Sequence, residues 1–458
     1  MIRKTAVEIV LYCEREGRFL QKEIDRRLRS MVLDPRDRAL LAELVLGPVR
    51  WRATLDAVLA AYAPRGIESR RPRLVEILRQ GAYQLVFLSR VPAHAAIDEA
   101  VKLARAAFPD PIPGFVNGLL RAIARGVAPA AAAEPPPPPR RTLEPPSADG
   151  AIAFDRDVFP DPERDAAAFL ASRWSHPEWL VARWLERFGR ADSERLLRAN
   201  ASVPALVLRV NTLRTTREAL SARLGARPVG DDAPDSLVLA EPTGPVAELP
   251  GFAEGEFAVQ GPTAARVAPL LRPAAGKAYL DVGAAPGGKA THLAILAGDA
   301  ARIVALDPSP ERLMRVEESA RRLGLRSIET VVADGREAAA RFGAIFDGVL
   351  VDAPCTNTGT LARRIEARWR LVPDDLATLP RLQGELLSAA ALAVKPGGRL
   401  VYATCSVERE ENEDVVRAFL AARPEFRLDS EETTLPVASE RDGGYAAALV
   451  GGARPAST

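Results

Sequence analysis

Two cysteines and the residues around them are the groups in this chain best suited to covalent chemistry. Cys405 ends Arg399 to Ala403, a β-forming run that follows the turn Pro396-Gly397-Gly398 and breaks into a polar corner reaching Asn412. A thiolate at the carboxyl end of a strand in an open α/β sheet is a nucleophile placed at the edge where ligands bind. Free cysteine is among the most buried residue types, so a core role is the alternative for any one of them. The neighbouring motifs decide against it here. Upstream, the apolar run Phe346 to Val351 ends in Asp352-Ala353-Pro354-Cys355, which sets a carboxylate and a second thiol at another strand end.

These groups need a scaffold, and from Tyr279 the chain alternates strand and helix as a doubly wound sheet does. Tyr279 to Gly283 reads as an apolar strand, Ala284-Ala285-Pro286-Gly287-Gly288-Lys289 as the turn, and Ala290 to Leu296 as the start of a helix. Small residues in such a turn let backbone approach a ligand, and the helix amino end presents N–H groups to it. The turn lacks the spaced glycines of a dinucleotide fingerprint and the ending of a P-loop. The strand Arg302 to Leu306 ends in Asp307, where an acid binds ribose hydroxyls in this topology, and Ile328 to Ala333 ends in Asp334, placed to reach an adenine amino group. Each acid taken singly could cap a helix. Three at successive strand ends, Asp307, Asp334 and Asp352, indicate a cofactor with a ribose and a purine. S-adenosylmethionine suits the two cysteines better than a dinucleotide does.

The 458 residues exceed one core, and their composition, 47% hydrophobic and 27% charged, is that of soluble globular protein. No apolar run approaches a membrane span and the amino end has no signal-like segment, so the expectation is a cytoplasmic protein without a membrane partner. Three separated cysteines and three separated histidines give neither a disulfide framework nor metal-ligand spacing, and no metal is expected. The net charge of +2 hides an asymmetry: residues 1 to 128 hold 22 Lys and Arg against 14 Asp and Glu, about +8, leaving about −6 for the rest. A basic front fits nucleic acid, and a solvated basic face fits it as well.

From Ile2 to about Gly126 apolar residues recur at helical spacing, and Asp34-Pro35 supplies a cap followed by proline at the first helical position. Residues 129 to 165, with prolines at 135 to 139, are expected to form an extended spacer. Helix returns at His176-Pro177 and runs to about Phe188; Leu206 to Asn211, Leu237 to Leu239 and Phe257 to Val259 read as strands, with a helix over Thr215 to Leu224. The expected domains are 1–128, 129–165 as linker, 166–258 and 259–458.

Several of these stretches resemble a known family. Asp37 to Leu41, Leu44 to Gly47, Gly81 to Leu85, Val91 to Ala100 and Phe115 to Arg121 look like the NusB-type RNA-binding helical domain, and residues 166–258 look like the small α+β RNA-recognition subdomain of RNA cytosine methyltransferases. Gly287-Gly288-Lys289, Asp352-Ala353-Pro354-Cys355, Thr404-Cys405-Ser406 and Glu411-Asn412-Glu413 resemble the RNA 5-methylcytosine methyltransferases of RsmB type. The resemblance implies an all-α bundle, an α+β subdomain and a Rossmann-like catalytic domain. It implies methyl transfer from S-adenosylmethionine to carbon 5 of a cytosine in small-subunit ribosomal RNA, carried out by a monomer. In that reading Cys405 adds to carbon 6, Asp352 supports the ring, Cys355 assists release, and Lys289 lies near the reacting groups. Gly283, Ala284, Ala285, Pro286, Gly287, Gly288, Lys289, Asp307, Asp334 and Asp352 would hold the cofactor.

The match departs at Gly283, at Gly261, at Ala362 and Ile365, and at Asp442 to Tyr445, positions that shape the substrate site. Transfer RNA or large-subunit ribosomal RNA as target stays open. A binding-only RNA chaperone would be expected to have lost Cys405 or the glycine turn, and a protein or small-molecule methyltransferase has no need of paired cysteines.

Overall fold

A computed structural model describes residues 1–63, 71–132, 137–146, 150–230, 232–240, 244–437 and 440–452. By packing these divide into two compact units, residues 1–202 with 364–370, and residues 203–363 with 371–458.

The first unit is helical. Seven helices, from Ile2–Glu16 to Ile112–Gly126, bury the apolar stripes that the periodicity picks out, with Leu41, Leu44, Leu55, Val58 and Leu120 closed to solvent. Asp34 caps the third helix as its sequence indicates, its carboxylate accepting from Asp37 N at 2.8 Å ahead of Pro35. The expected spacer is corrected by its own apolar residues. Strands β1 (Val127–Pro129), β2 (Thr142–Leu143) and β3 (Ile152–Phe154) pair antiparallel in the order β1-β3-β2, and Leu143, Phe154 and Phe159 are buried. Of the proline run, 135 and 136 lie outside the described residues. Helices Ala166–Trp174 and Glu178–Ala201 also pack in this unit; the second breaks at Gly189, whose φ of 73° is left-handed, where the sequence places its end.

Residues 364–370 complete the unit. The Arg368 guanidinium donates to Ser175 O at 3.0 Å and Asn200 O at 2.8 Å, and Trp369 Nε1 donates to Val49 O at 2.9 Å.

The second unit contains two sheets. Strands β4 (Leu206–Val210), β5 (Arg227–Pro228), β6 (Ser236–Leu239) and β7 (Phe257–Val259) form an antiparallel sheet in the order β5-β6-β4-β7. The larger sheet contains β8 (Ala278–Val282), β9 (Arg302–Asp307), β10 (Ile328–Val332), β11 (Phe346–Asp352), β12 (Val394–Thr404), β13 (Phe426–Thr434) and β14 (Gly444–Gly451), in the order β10-β9-β8-β11-β12-β14-β13. The strands from β10 to β12 are parallel and β14 is antiparallel to both its neighbours. Parallel strands are covered on both faces. Leu280, Val349 and Leu400 accordingly point into one core while Tyr279, Leu350 and Val401 point into the other. The order reverses between β8 and its neighbours β9 and β11, which opens a crevice at their carboxyl ends.

Candidate active site

At the end of β8 the chain turns at Gly283, where φ is 78°, and Gly283 and Ala284 donate their N–H groups to Leu306 O. A Cβ on Gly283 would lie 2.4 Å from Asp352 O, so glycine is required both for the backbone angle and for close passage over the end of β11. The turn then feeds helix Gly288–Leu296, whose second residue is Lys289. Its ammonium lies 2.7 Å from Asp352 Oδ2. Burial works against the Lys289 charge, but Asp352 outweighs it and holds the pKa above the usual lysine range. Beneath the turn, Asp281 is fully buried with neither carboxylate oxygen paired; burial, followed by the charge of Asp352, pushes its pKa up to about 8.

Asp307 closes β9 and is buried. It accepts from Ser309 N at 3.0 Å and from Ala285 N at 3.3 Å, and Arg312 stands 3.4 Å away while donating to Ala285 O at 2.6 Å. Asp334 follows β10, as read from the sequence, but its carboxylate is engaged by Arg336, with contacts of 2.9 Å and 3.0 Å to one oxygen and 2.7 Å to the other. Hydrogen bonds from Arg336 hold its pKa below the usual carboxylate range. Residues 283–289, Asp307 and Asp352 thus gather around the crevice. Asp334 lies beyond the last parallel strand with an internal partner already in place.

The catalytic candidates converge at the ends of β11 and β12, which pair in register from Gly348 with Arg399 to Asp352 with Ala403. That register sets Cys355 Sγ 3.2 Å from Cys405 Sγ. A buried network fixes both loops. Glu411 accepts from Thr356 N at 2.9 Å and from Gln383 Nε2 at 3.0 Å, and Gln383 also donates to Pro354 O at 2.9 Å. Tyr402 Oη donates to Glu411 O, Asn412 Nδ2 to Ser406 O, and Thr404 Oγ1 to Asn412 Oδ1. Glu411 and Asn412 stand out in the sequence as motif residues without this positional role, and Gln383, Arg312 and Asn357 do not stand out in it at all. An acid placed six residues after a candidate nucleophile is the one signal that could have exposed the network.

The Cys355 thiol is held well above its ordinary range, first by its hydrogen bond to Cys405, then by burial and by the charge of a Cys405 thiolate. Cys405 and Lys289 both line a cavity of about 180 Å³ whose wall also includes Gly443, Gly444 and Tyr445 of the β14 region. The departure at Asp442 to Tyr445 forms part of this wall, and Gly261 passes close to Asp442. A Cβ on Gly444 would stand 2.8 Å from Thr404 O, and one on Gly261 would stand 2.7 Å from Asp442 Oδ2.

The strand order, the glycine turn and the acids at the strand ends define a methyltransferase domain that uses S-adenosylmethionine, and the residues present fit that cofactor: the turn leads into the amino end of helix Gly288–Leu296, and buried carboxylates flank it. Comparison with known proteins carries this further. Residues 268–450 match the family model for the 16S rRNA methyltransferase RsmB/F, residues 1–125 the NusB family, and residues 176–246 the ferredoxin-like domain of RsmF/B-like methyltransferases. The chain is 33% identical to a probable ribosomal RNA small subunit methyltransferase B of Bacillus subtilis and 35% identical to one of Synechocystis, in each case over 95% of this chain and 92% of the relative. The crystal structure of PH0851 superposes with a TM-score of 0.74 at 26% identity, covering 97% of this chain and 98% of that one. The chain belongs to the RsmB/F methyltransferase family, and its activity is S-adenosylmethionine-dependent methylation of RNA. The front helices are its NusB region and residues 176–246 its ferredoxin-like domain. Among the described residues no helix is long and apolar enough to cross a membrane, and no group of three or more His, Cys, Asp and Glu could hold a metal.

Proposed function

We propose that this protein methylates carbon 5 of a cytosine in small-subunit ribosomal RNA through a covalent adduct with Cys405. The observation that carries the reading is the pair of thiols 3.2 Å apart, one of which lines the same cavity as Lys289. Carbon 5 of cytosine is a weak nucleophile. Addition of the Cys405 thiolate to carbon 6 moves the ring's electrons onto carbon 5. Asp352, held by Lys289, presents a carboxylate to the ring's polar edge. S-adenosylmethionine supplies an electrophilic methyl group.

Once Cys405 has become a thioether its charge is gone and it no longer draws on the Cys355 hydrogen bond. The causes that raise the Cys355 pKa are then removed, apart from burial and the more distant Glu411. Cys355, once its own proton has passed to solvent, accepts the proton that carbon 5 must lose. Elimination then restores the double bond and returns the thiolate of Cys405. The basic residues of 1–128 add phosphate affinity and take no part in the chemistry.

The test uses small-subunit ribosomal RNA containing 5-fluorocytosine, in which carbon 5 carries no removable proton after methylation. Wild type is expected to give a protein–RNA species that survives a denaturing gel, and Cys405→Ala none. Adduct formation by Cys405→Ala overturns the assignment of Cys405 as the nucleophile, and none by wild type overturns the covalent reading; transfer only to transfer RNA or large-subunit RNA overturns the choice of target.

A further inference from the structure

Asn357 lies two residues beyond Cys355 with φ of 62°, a left-handed backbone that few residues other than glycine adopt. Its carboxamide spans the two cysteines. Nδ2 donates to Cys355 O at 2.8 Å, and Oδ1 accepts from Cys405 Sγ at 3.1 Å. A backbone carbonyl only accepts, so Cys355 O fixes which end of the amide faces it. The oxygen is left toward Cys405, where it supports an S–H and opposes an S⁻.

Resting on the reading of Cys405 as nucleophile, we propose that Asn357 is a positioning residue that aims the Cys405 thiol and keeps it protonated until substrate is bound. Other groups near this thiol include Cys355 from the loop after β11, Lys289 from helix Gly288–Leu296, and Asp352 paired with that lysine; Glu411 faces Cys355 from the turn Arg409–Glu411. Lys289 and the Cys355 S–H favour the thiolate, whereas the carboxylates oppose it. Asn357 adds a neutral acceptor on the protonated side of this balance. The same amide ties the loop carrying one thiol to the other thiol, so it also sets their separation.

The experiment labels the full-length protein with iodoacetamide from pH 6 to 10 and follows Cys405 by peptide mass spectrometry. Asn357→Gly suits the left-handed backbone and removes only the carboxamide. The Cys405 labelling midpoint is expected to fall by about 0.5 to 1 pH unit, the worth of one neutral hydrogen bond. Asn357→Asp places a negative charge at the same point and is expected to raise it. The acid limb of the kcat/KM profile for methyl transfer should move with the labelling midpoint in both variants. An unmoved or raised midpoint in Asn357→Gly, or a lowered one in Asn357→Asp, overturns the proposal. Labelling needs no RNA, so failure of the cytosine reading would show separately, as absent methyl transfer by wild type.

Discussion

Arg368 in the helical unit is a buried cation and Lys289 in the catalytic unit a mostly buried one, and their surroundings treat them in opposite ways. Arg368 is fully enclosed and donates to two backbone carbonyls; burial lowers its pKa to about 9. Lys289 is raised instead, because a carboxylate 2.7 Å away outweighs its burial. Carbonyl dipoles satisfy hydrogen bonds without supplying charge, which suits a side chain that joins backbone segments. A cation facing a carboxylate on the wall of a cavity is an arrangement that a third polar group can enter and rearrange. Burial alone does not separate architecture from chemistry; the charge of the partner and the presence of a cavity do.

Substitutions on the two sides of this contrast should fail in different assays. The largest effect is expected at the thiols: Cys405→Ala should lower methyl transfer by on the order of a thousandfold or more with cofactor affinity intact, whereas Cys355→Ala should accumulate a slowly migrating protein–RNA species without any trapping analogue. Adducts forming only in the Cys405 variant would mean that the two roles are exchanged. Lys289→Met should reduce kcat by roughly a hundredfold or more while the thermal midpoint stays near that of wild type; a collapse of stability would place Lys289 with Arg368 as architecture. Arg368→Met should show the converse, a loss of about 3 kcal/mol in the stability of the helical unit because buried carbonyls lose their donors, with S-adenosylmethionine affinity unchanged by calorimetry. The smallest effect is expected at Asp307→Ala, which should raise the cofactor dissociation constant about ten- to a hundredfold. Unchanged binding would remove Asp307 from the cofactor site.

What could be read from the sequence follows the range of the interactions. The parallel strands were legible because strands buried on both faces are near-continuous apolar runs, and their terminal residues Gly283, Asp307, Asp352 and Cys405 then fell at one sheet edge. β12 was legible only from Arg399, because the register shift between Phe346 and Gly348 lets the strand begin at Val394, ahead of the Pro-Gly-Gly stretch that reads as a turn. Residues 129–165 were misread because prolines dominate the composition while a few apolar residues, Leu143, Phe154 and Phe159, supply the packing. Asn357 was invisible, since its importance lies in a left-handed angle and in two contacts made across loops. That Asp334 follows a strand was legible, but its pairing with Arg336 depends on the chain's path just after the strand.

The order of the large sheet has a consequence for synthesis. β14 follows β13 in the chain yet lies between β12 and β13, so β13 has no place in the sheet until residues 444–451 have left the ribosome. The cavity wall beside Cys405 comes from the same late segment. A nascent chain stalled after Cys405 would therefore carry both thiols without residues 443–445 beside them, an open pair where the folded protein has a walled one.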